Sequence, residues 1–306
     1  MKKKILWTIL VIILISSLLL VGCSSSEEEE EGPRIVELGE YPQTIKAADV
    51  TITQTIEEGK IYLGSDGARY AKVTAKPYTS YFSTVSYKFS DGTVIEAGES
   101  YYFKYEPIKW RVLQENDDGT ALVLSEKVLD AQEYYSGYYT IKNDSYYKKD
   151  GTGINAYGSS SIRQFLTGTF YTSAFTKDAD IQRIKNRSII YDDKVFLLEQ
   201  SEAKSGWYGF TTDNSADAAR IKMTTDYSRA VGAKISTAED DYGAGDWWLG
   251  SSYKMDDDTA KIMRQLGYDT TPDPGEAAYV TTSGKIEGKG AIGREGVVPA
   301  LRIILP

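Results

Sequence analysis

The single cysteine of this 306-residue chain is the feature that most limits how it can fold. Cys23 stands in the segment LLLVGCSSSEEEEEG, where an apolar stretch ends and serines and glutamates begin. One cysteine cannot form a disulfide within the chain, and the chain has no histidine either. Thiol catalysis in the body of the chain, histidine catalysis and histidine metal ligation are therefore excluded, and a folded domain must be stabilised by its core alone.

The first 22 residues have the pattern of an export signal. Lysines at 2–4 precede an almost entirely apolar stretch at 5–21, which is long for a signal peptide and short for a spanning helix. The sequence LVGC at 20–23 resembles a bacterial lipobox, in which the cysteine thiol receives a diacylglyceryl group before cleavage. We expect residues 1–22 to be a lipoprotein signal peptide and Cys23 to be the lipid attachment site. An uncleaved anchor helix is the alternative.

Residues 23–34 connect the expected anchor to the rest of the chain. Residues 27–31 are all glutamate, and this stretch cannot bury apolar area. We therefore predict a lipidated cysteine with a flexible acidic tether at 23–34 and a single α+β domain of a ligand-binding type at 35–306. Because two acyl chains hold a protein on a bilayer, the expected location is the bacterial cell envelope, outside the cytoplasm and with the membrane as a partner.

The charge balance bears on the possible partners. The formal net charge is -9 at pH 7, with 44 acidic and 35 basic residues. Binding to a phosphate backbone requires clustered lysine and arginine, and the sequence has no such cluster. Nucleic acid is therefore not an expected partner.

Two segments carry clear hairpin signals. VSYKFSDGTVIEAG and KWRVLQENDDGTALVLS have strand-like runs on both sides of an aspartate–glycine pair. We predict antiparallel hairpins that turn at Asp91 with Gly92 and at Asp118 with Gly119.

The middle of the chain has a different period. Ser160 and Ser161 precede apolar residues at helical spacing, which predicts a helical pair. These residues are Ile162, Phe165, Leu166, Phe170, Phe175, Ile181 and Ile184. A further helix is expected over 216–233, and the C-terminal part returns to strands. Antiparallel hairpins with a central helical section indicate the α+β class.

Several blocks occur in an order that resembles a known family, the bacterial domain-of-unknown-function 6273 family, over about residues 36 to 305. The blocks are VELGEYPQ, GSDGARYAKVTAKPY, FSDGTVIEAGESYYFKYEPIKWRVL, ALVLSEKVLDAQEYY, SSIRQFLTGTFYTSAF, DKVFLLEQSEA, TTDYSRAVGA, DWWLGSS and GVVPALRIIL. The family often has Arg-Ser-Pro after Trp-Trp-Leu, where this chain has Gly250, Ser251 and Ser252. A role of that arginine therefore cannot be transferred to this chain.

The order of WWL, a variable segment and GVVPALRI is similar to the C-type-lectin-like fold, which includes the formylglycine-generating enzymes. In that fold, a tryptophan-containing strand, a variable stretch and a final strand form the ligand face. The resemblance implies a scaffold and not an activity, since the formylglycine-generating enzymes use cysteines that the body of this chain lacks.

Two motifs that can indicate a cofactor or a metal lack their usual context. GKGAIG at 288–293 has the G-x-G-x-x-G spacing, but no helix and no acidic residue follow at the distances of a dinucleotide site. The aspartates at 256–258 lack the alternating ligands of a calcium loop, and they are more typical of a helix start. We therefore predict no cofactor and no metal.

A tyrosine-rich segment, EYYSGYYTIKNDSYYKK, allows two interpretations. Tyrosine combines a large rigid face with a hydroxyl group, which suits binding surfaces and stacking against sugars. Alternate tyrosines also pack well on a half-buried strand. The residues concerned are Tyr134, Tyr135, Tyr138, Tyr139, Tyr146 and Tyr147.

The leading hypothesis is a non-catalytic cell-surface lipoprotein that binds an extracellular glycan or protein through a lectin-like domain. Trp247 and Trp248 are adjacent, so on a strand one is expected in the core and the other on the ligand face. The candidate ligand-binding residues are Trp248, Ser252, Tyr253, Tyr279, Lys289 and Arg294. The alternatives are an envelope enzyme that acts on carbohydrate through paired carboxylates and a structural envelope component.

Overall fold

The computed structural model describes residues 32–79, 86–188, 192–239 and 242–306. Within it, Ile35–Pro306 form one compact unit. The predicted signal peptide and Cys23 lie outside the described residues.

Strands dominate this unit. They are β1 (Ile35–Ile45), β2 (Ile52–Glu57), β3 (Ile61–Gly64), β4 (Arg69–Thr74), β5 (Ser100–Glu115), β6 (Thr120–Ser125), β7 (Lys127–Val128), β8 (Asp130–Glu133), β9 (Tyr139–Lys142), β10 (Ser145–Lys148), β11 (Ile184–Lys185), β12 (Val195–Phe196), β13 (Lys222–Thr224), β14 (Ala244–Gly245), β15 (Trp247–Ser252), β16 (Glu276–Val280), β17 (Ile286–Gly290), β18 (Arg294–Val297) and β19 (Ala300–Ile304).

The helices are short. They are α1 (Ser161–Phe165), α2 (Tyr171–Ala174), α3 (Asp178–Arg183), α4 (Asp226–Ala230) and α5 (Asp257–Gln265), with a π-helical turn at Leu166–Phe170 between α1 and α2. Single 3-10 turns lie at Tyr157–Ser159, Glu202–Lys204, Gly206–Tyr208 and Ala218–Arg220. The mixture of many strands and few helices is compatible with the predicted α+β class.

The strands form a large antiparallel sheet and several smaller ones. The large sheet has the order β11-β19-β6-β5-β4-β3-β2, with β1 paired to β5 and β12 paired to β19. A second sheet has the order β17-β16-β15-β18-β8, in which β15 and β18 run parallel. A third sheet joins β14, β13 and β7, and β9 pairs with β10. The sheet centred on β15 carries most of the candidate residues.

The predicted hairpin turns are confirmed. Gly119 adopts a positive φ of 76° between β5 and β6, which pair antiparallel. Gly92 has a φ of 87°, and an antiparallel bridge joins Lys88 to Val94 across the turn. Glycine is favoured at both places because other residues rarely adopt this backbone conformation.

The helical section begins where the sequence predicts. The Ser160 hydroxyl accepts a hydrogen bond from the backbone N–H of Arg163, which is the capping contact expected at the start of α1. The apolar face of the section is buried, with Ile162, Leu166 and Phe170 fully enclosed. Ile184 departs from the prediction, since it belongs to β11 and pairs with Ile303.

The single helix expected over 216–233 is wrong in extent. The structure has a 3-10 turn, then β13, and only then α4, which starts after Thr225 caps the N–H of Ser228. A strand forms here in place of the helix because Lys222 and Met223 pair with β14. Met223 also bridges to Lys127 of β7.

The sheet that contains β15 is covered on both faces. Trp248 belongs to one apolar cluster with Tyr134, Ile162 and Phe170, whereas Trp247 belongs to a second cluster with Phe196 and Phe210. Both tryptophans are 0% exposed. Adjacent strand residues do face opposite sides, as predicted, but each side is core.

The tyrosine-rich segment divides between the two interpretations. Tyr134 is fully buried and packs edge-on against Trp248, with the ring centroids 5.3 Å apart. Tyr138 is 73% exposed, and Tyr139 packs against Tyr146 in the β9–β10 hairpin. The segment therefore supplies a core residue at one end and surface aromatic rings at the other.

Candidate functional site

Lys289 and Arg294 line one cavity of about 450 Å³ at an end of the β15 sheet. We call it the Lys289 cavity. Its other lining residues are Lys76, Pro77, Tyr78, Thr79, Gly232, Gly293 and Glu295. The structure thus brings together two of the residues that the sequence analysis selected.

An ion pair between the half-buried Lys289 and the buried Glu295 forms part of the wall of this cavity. The Lys289 ammonium donates a hydrogen bond to Oε1 of Glu295, whose side chain is 0% exposed. Oε2 of Glu295 is also buried and has no hydrogen-bond partner among the described residues. Burial lowers the pKa of Lys289, the nearby Lys234 lowers it further, and Asp246 opposes both effects. The hydrogen bond from Lys289 to the Glu295 carboxylate positions the ammonium beside the cavity.

The ring of Tyr279 packs against the ammonium of Lys289. The Lys289 nitrogen lies 5.4 Å from the centroid of the Tyr279 ring, a distance at which a cation is attracted to the ring face. The Tyr279 hydroxyl donates to Glu287 at 3.2 Å, and the ring packs against Trp248 with centroids 6.2 Å apart. Tyr279 is only 8% exposed, so it orients Lys289 and presents little surface of its own.

Arg294 is held in place at the side of the cavity. Its guanidinium donates to the carbonyl of Val231 at 3.1 Å and to Glu133 at 3.3 Å. Gly232 makes room for it, since a Cβ there would lie 2.9 Å from Cδ of Arg294 and 3.1 Å from the carbonyl oxygen of Lys76. Gly232 also has a φ of 110°, which disfavours any other residue.

The expectation that Trp248 lines a ligand face is wrong. Its ring is fully buried, and its indole N–H donates to the carbonyl of Gln132 at 2.9 Å. The cause is the apolar cluster on that side of the sheet, which the neighbouring residues in the sequence do not reveal. Trp248 contributes to the site only by supporting Tyr279.

Ser252 and Tyr253 lie apart from the Lys289 cavity. Ser252 is half-buried and pairs with Ala277 at the end of β15. Tyr253 lines a different cleft of about 470 Å³, the Tyr253 cleft. Its other lining residues are Asn143, Ser145, Tyr147, Met255, Asp269, Thr270, Thr271, Pro272, Asp273, Pro274 and Glu276.

Two carboxylates in the Tyr253 cleft differ in their surroundings. Burial raises the pKa of Glu276, and the neighbouring Asp273 raises it further. Asp273 itself accepts hydrogen bonds from Ser145 and from the N–H of Gly275. Different surroundings of this kind are what an acid and a base in one cleft require.

A third cavity adjoins the first. It has a volume of about 420 Å³, and we call it the Gln164 cavity. It is lined by Gln132, Glu133, Ser136, Ser161, Gln164, Phe165, Thr169 and Arg294. Arg294 is therefore common to the walls of the Lys289 cavity and the Gln164 cavity.

Lys76, Gly232 and Glu295 belong to the site but were not among the residues predicted from the sequence. A signal for Glu295 was present, because it is a charged residue between Arg294 and Gly296, directly before the apolar run that forms the last strands. Lys76 and Gly232 carried no such signal, since each joins the site only through the tertiary fold.

No group of three or more cysteine, aspartate or glutamate side chains among the described residues is placed to hold a metal ion. In the part of the chain that the structure describes, none of the helices combines the length and the apolar character needed to cross a bilayer.

Comparison with known proteins gives one match. The family model described as "Domain of unknown function (DUF6273)" matches residues 118–305, so the resemblance seen in the sequence is confirmed over that range. The matched range contains Lys289, Arg294, Glu295 and Gln164, but not Lys76. No curated protein and no solved structure matches the chain.

Proposed function

Since this chain belongs to the DUF6273 family of domains of unknown function, we propose its role from its own geometry. It is a non-catalytic lipoprotein of the bacterial cell surface that binds an extracellular ligand, a glycan or a protein. The ligand occupies the Lys289 cavity.

The ion pair between Lys289 and the buried Glu295 is the observation that carries this proposal. Burying the Glu295 carboxylate removes it from water, and its attraction to an ammonium often does no more than offset that loss. The Lys289 side chain is 28% exposed, so its ammonium stays within reach of a ligand. An ammonium has three N–H donors. Among the described residues, the Lys289 ammonium donates only to Glu295, which leaves donors of Lys289 for a ligand.

The charges of the Lys289 cavity favour binding over hydrolysis. Glycoside hydrolysis through carboxylates needs a pair of them, about 5 to 9.5 Å apart. Glu295 is the one carboxylate among the described residues that line this cavity, and Lys289 neutralises it. The cavity can therefore hold and orient a ligand without an acid and base pair.

An array of glycans and proteins, probed with the full chain in a neutral detergent, tests the proposed function. We expect one or a few members of the array to bind and to be recovered unchanged, because binding without catalysis leaves the ligand intact. Silence across the array together with hydrolysis of a polysaccharide would sink the proposal. Silence without hydrolysis would favour a structural envelope component instead.

The anchor is the second part of the proposal. Cys23 follows a basic and apolar leader, and two acyl chains would hold the protein on a bilayer. We expect cells that produce the chain to incorporate radioactive palmitate into it, and Cys23→Ala to abolish the label completely. Equal labelling of the wild type and Cys23→Ala, or no labelling of either, would refute lipidation at this residue.

A carbohydrate-active enzyme is the second candidate, and the Tyr253 cleft favours it. Glu276, with its raised pKa, is the candidate acid, and Asp273 beside it is the candidate base. Hydrolysis of an array glycan that Glu276→Gln abolishes would establish this function in place of the first.

We also propose that the domain is lectin-like in the way it uses one segment to bind its ligand. The segment between β15 and β18 contributes α5, β16, β17 and the residues around Lys289. A ligand bound beside this segment would match the use that C-type-lectin-like domains make of theirs.

A further inference from the structure

Arg294 stands between two cavities of similar size. The Lys289 cavity and the Gln164 cavity have volumes of about 450 and 420 Å³, and both are lined by Arg294. Each volume lies within the range of small-molecule pockets. The cavities share a wall, so one extended ligand could contact both and pass over the Arg294 side chain, which is 39% exposed.

The Lys289 cavity has one cation in excess. Lys76, Lys289 and Arg294 line it, but Lys289 pairs with Glu295 and Arg294 pairs with Glu133 of the adjoining cavity. Lys76 is exposed, and its ammonium has no ion-pair partner among the described residues. An anionic group on a ligand would be attracted here, because charge-assisted hydrogen bonds to lysine and arginine are the stronger ones.

The Lys289 cavity also contains an aromatic ring. Tyr78 is half-buried in its wall and packs against Tyr87, with ring centroids 6.2 Å apart and an interplanar angle of 27°. A ring held in this way offers a rigid face at little entropic cost. The cavity therefore combines positive charge with a flat apolar surface.

The Gln164 cavity has a different chemistry. Ser136, Ser161, Gln164 and Thr169 supply hydroxyl and amide groups, which both donate and accept hydrogen bonds. The Glu133 carboxylate also lines this cavity, where it is paired with Arg294. Gln164 and Thr169 are exposed, and Phe165 adds a half-buried aromatic ring. Neutral groups that donate and accept suit the hydroxyls of a sugar, whose ring also has an apolar face.

We infer that the two cavities are adjacent subsites for an acidic oligosaccharide. A sugar residue with an anionic substituent, a carboxylate or a phosphate, occupies the Lys289 cavity, and its neutral neighbour occupies the Gln164 cavity. A protein ligand is disfavoured because specific protein interfaces bury about 800 Å² on each partner, far more than small concave sites offer. This inference rests on the proposed function and names its ligand class.

Calorimetric titration of the full chain in a neutral detergent at low salt tests the inference. The probes are a trisaccharide with one uronate and two neutral residues, its neutral methyl ester, a matching trisaccharide that carries one phosphate in place of the carboxylate, and inorganic phosphate. We expect the tighter of the two anionic trisaccharides to bind at least about tenfold more strongly than the methyl ester and than inorganic phosphate. Which of the two anionic trisaccharides binds more tightly shows whether the site prefers a carboxylate or a phosphate.

Two substitutions at exposed residues separate the subsites without disturbing the core. Lys76→Gln should weaken the anionic trisaccharide about fivefold and leave the methyl ester unchanged, because it removes one partly exposed charge. Gln164→Ala should weaken the anionic trisaccharide and the methyl ester by about threefold each. Lys261→Gln and Gln265→Ala on the exposed face of α5 are the matched controls and should change neither affinity.

Three results would overturn the inference. They are equal affinities for the anionic trisaccharides and the methyl ester, equal affinities for the trisaccharides and inorganic phosphate, and unchanged binding after Lys76→Gln or Gln164→Ala. If the array yields only protein ligands, the inference fails and the proposed function stands. If it yields no ligand at all, both fail.

Discussion

Replacing Arg220 by methionine is expected to lower the free energy of unfolding by about 3 to 5 kcal/mol. The Arg220 side chain is 0% exposed, and its guanidinium donates to carbonyl oxygens that converge from separate loops. These belong to Ala203 at 2.8 Å, Thr211 at 2.7 Å, Asp213 at 2.7 Å, Ser215 at 3.0 Å and Gly284 at 3.2 Å. Methionine fills a similar volume but removes the donor from all of these acceptors, of which the carbonyls of Ala203 and Gly284 are in fully buried bonds.

Urea denaturation of residues 35–306 measures this effect. Arg302→Met is the matched control, because the Arg302 side chain is 32% exposed and pairs with the exposed Asp118. The control should cost no more than about 1 kcal/mol. A loss of less than about 1 kcal/mol for Arg220→Met would mean that the loops do not converge on this side chain.

Trp248→Ala is expected to lower the free energy of unfolding by about 3 to 5 kcal/mol, because it opens a cavity in the core beneath the β15 sheet. It also removes the indole bond to Gln132 and the support of Tyr279. Trp207→Ala is the matched control, since Trp207 is 92% exposed, and it should stay within about 0.5 kcal/mol of the wild type. Similar losses for the two variants in urea denaturation would contradict the buried placement of Trp248.

Local signals in the sequence predicted local structure well. The glycine at 119 and the serine at 160 act through their own backbone and side-chain contacts with residues two to four positions away, so the chain need not be folded for their effect to be recognised. The same holds for the alternation of Trp247 and Trp248 across a strand.

What covers each face of a strand depends on distant parts of the chain. Trp248 is buried by the segment around Tyr134 and by the helical section, and the sequence near Trp248 contains no trace of either. The helix expected over 216–233 failed for a related reason. Strand pairing of Met223 with β14 and with β7 outweighed a local helical pattern.

The candidate site was predictable only in part. Lys289 and Arg294 were selected because they lie between the tryptophan strand and the last strand, and the fold does place them in one cavity. Glu295 acquires its importance from burial opposite Lys289, and Lys76 from a loop far earlier in the chain. Glu295 and Lys76 become part of the site only through tertiary packing, which the periodicity and spacing of the sequence do not predict.

The most direct test of the central claim blocks one cavity at a time. Thr79→Trp places a large ring at an exposed position in the Lys289 cavity, and Thr271→Trp does the same in the Tyr253 cleft. The measurement is the affinity of each variant for the strongest ligand found on the array. We expect Thr79→Trp to weaken binding at least about tenfold and Thr271→Trp to leave it unchanged. Full binding by Thr79→Trp, with loss in Thr271→Trp, would contradict the assignment of the ligand site to the Lys289 cavity.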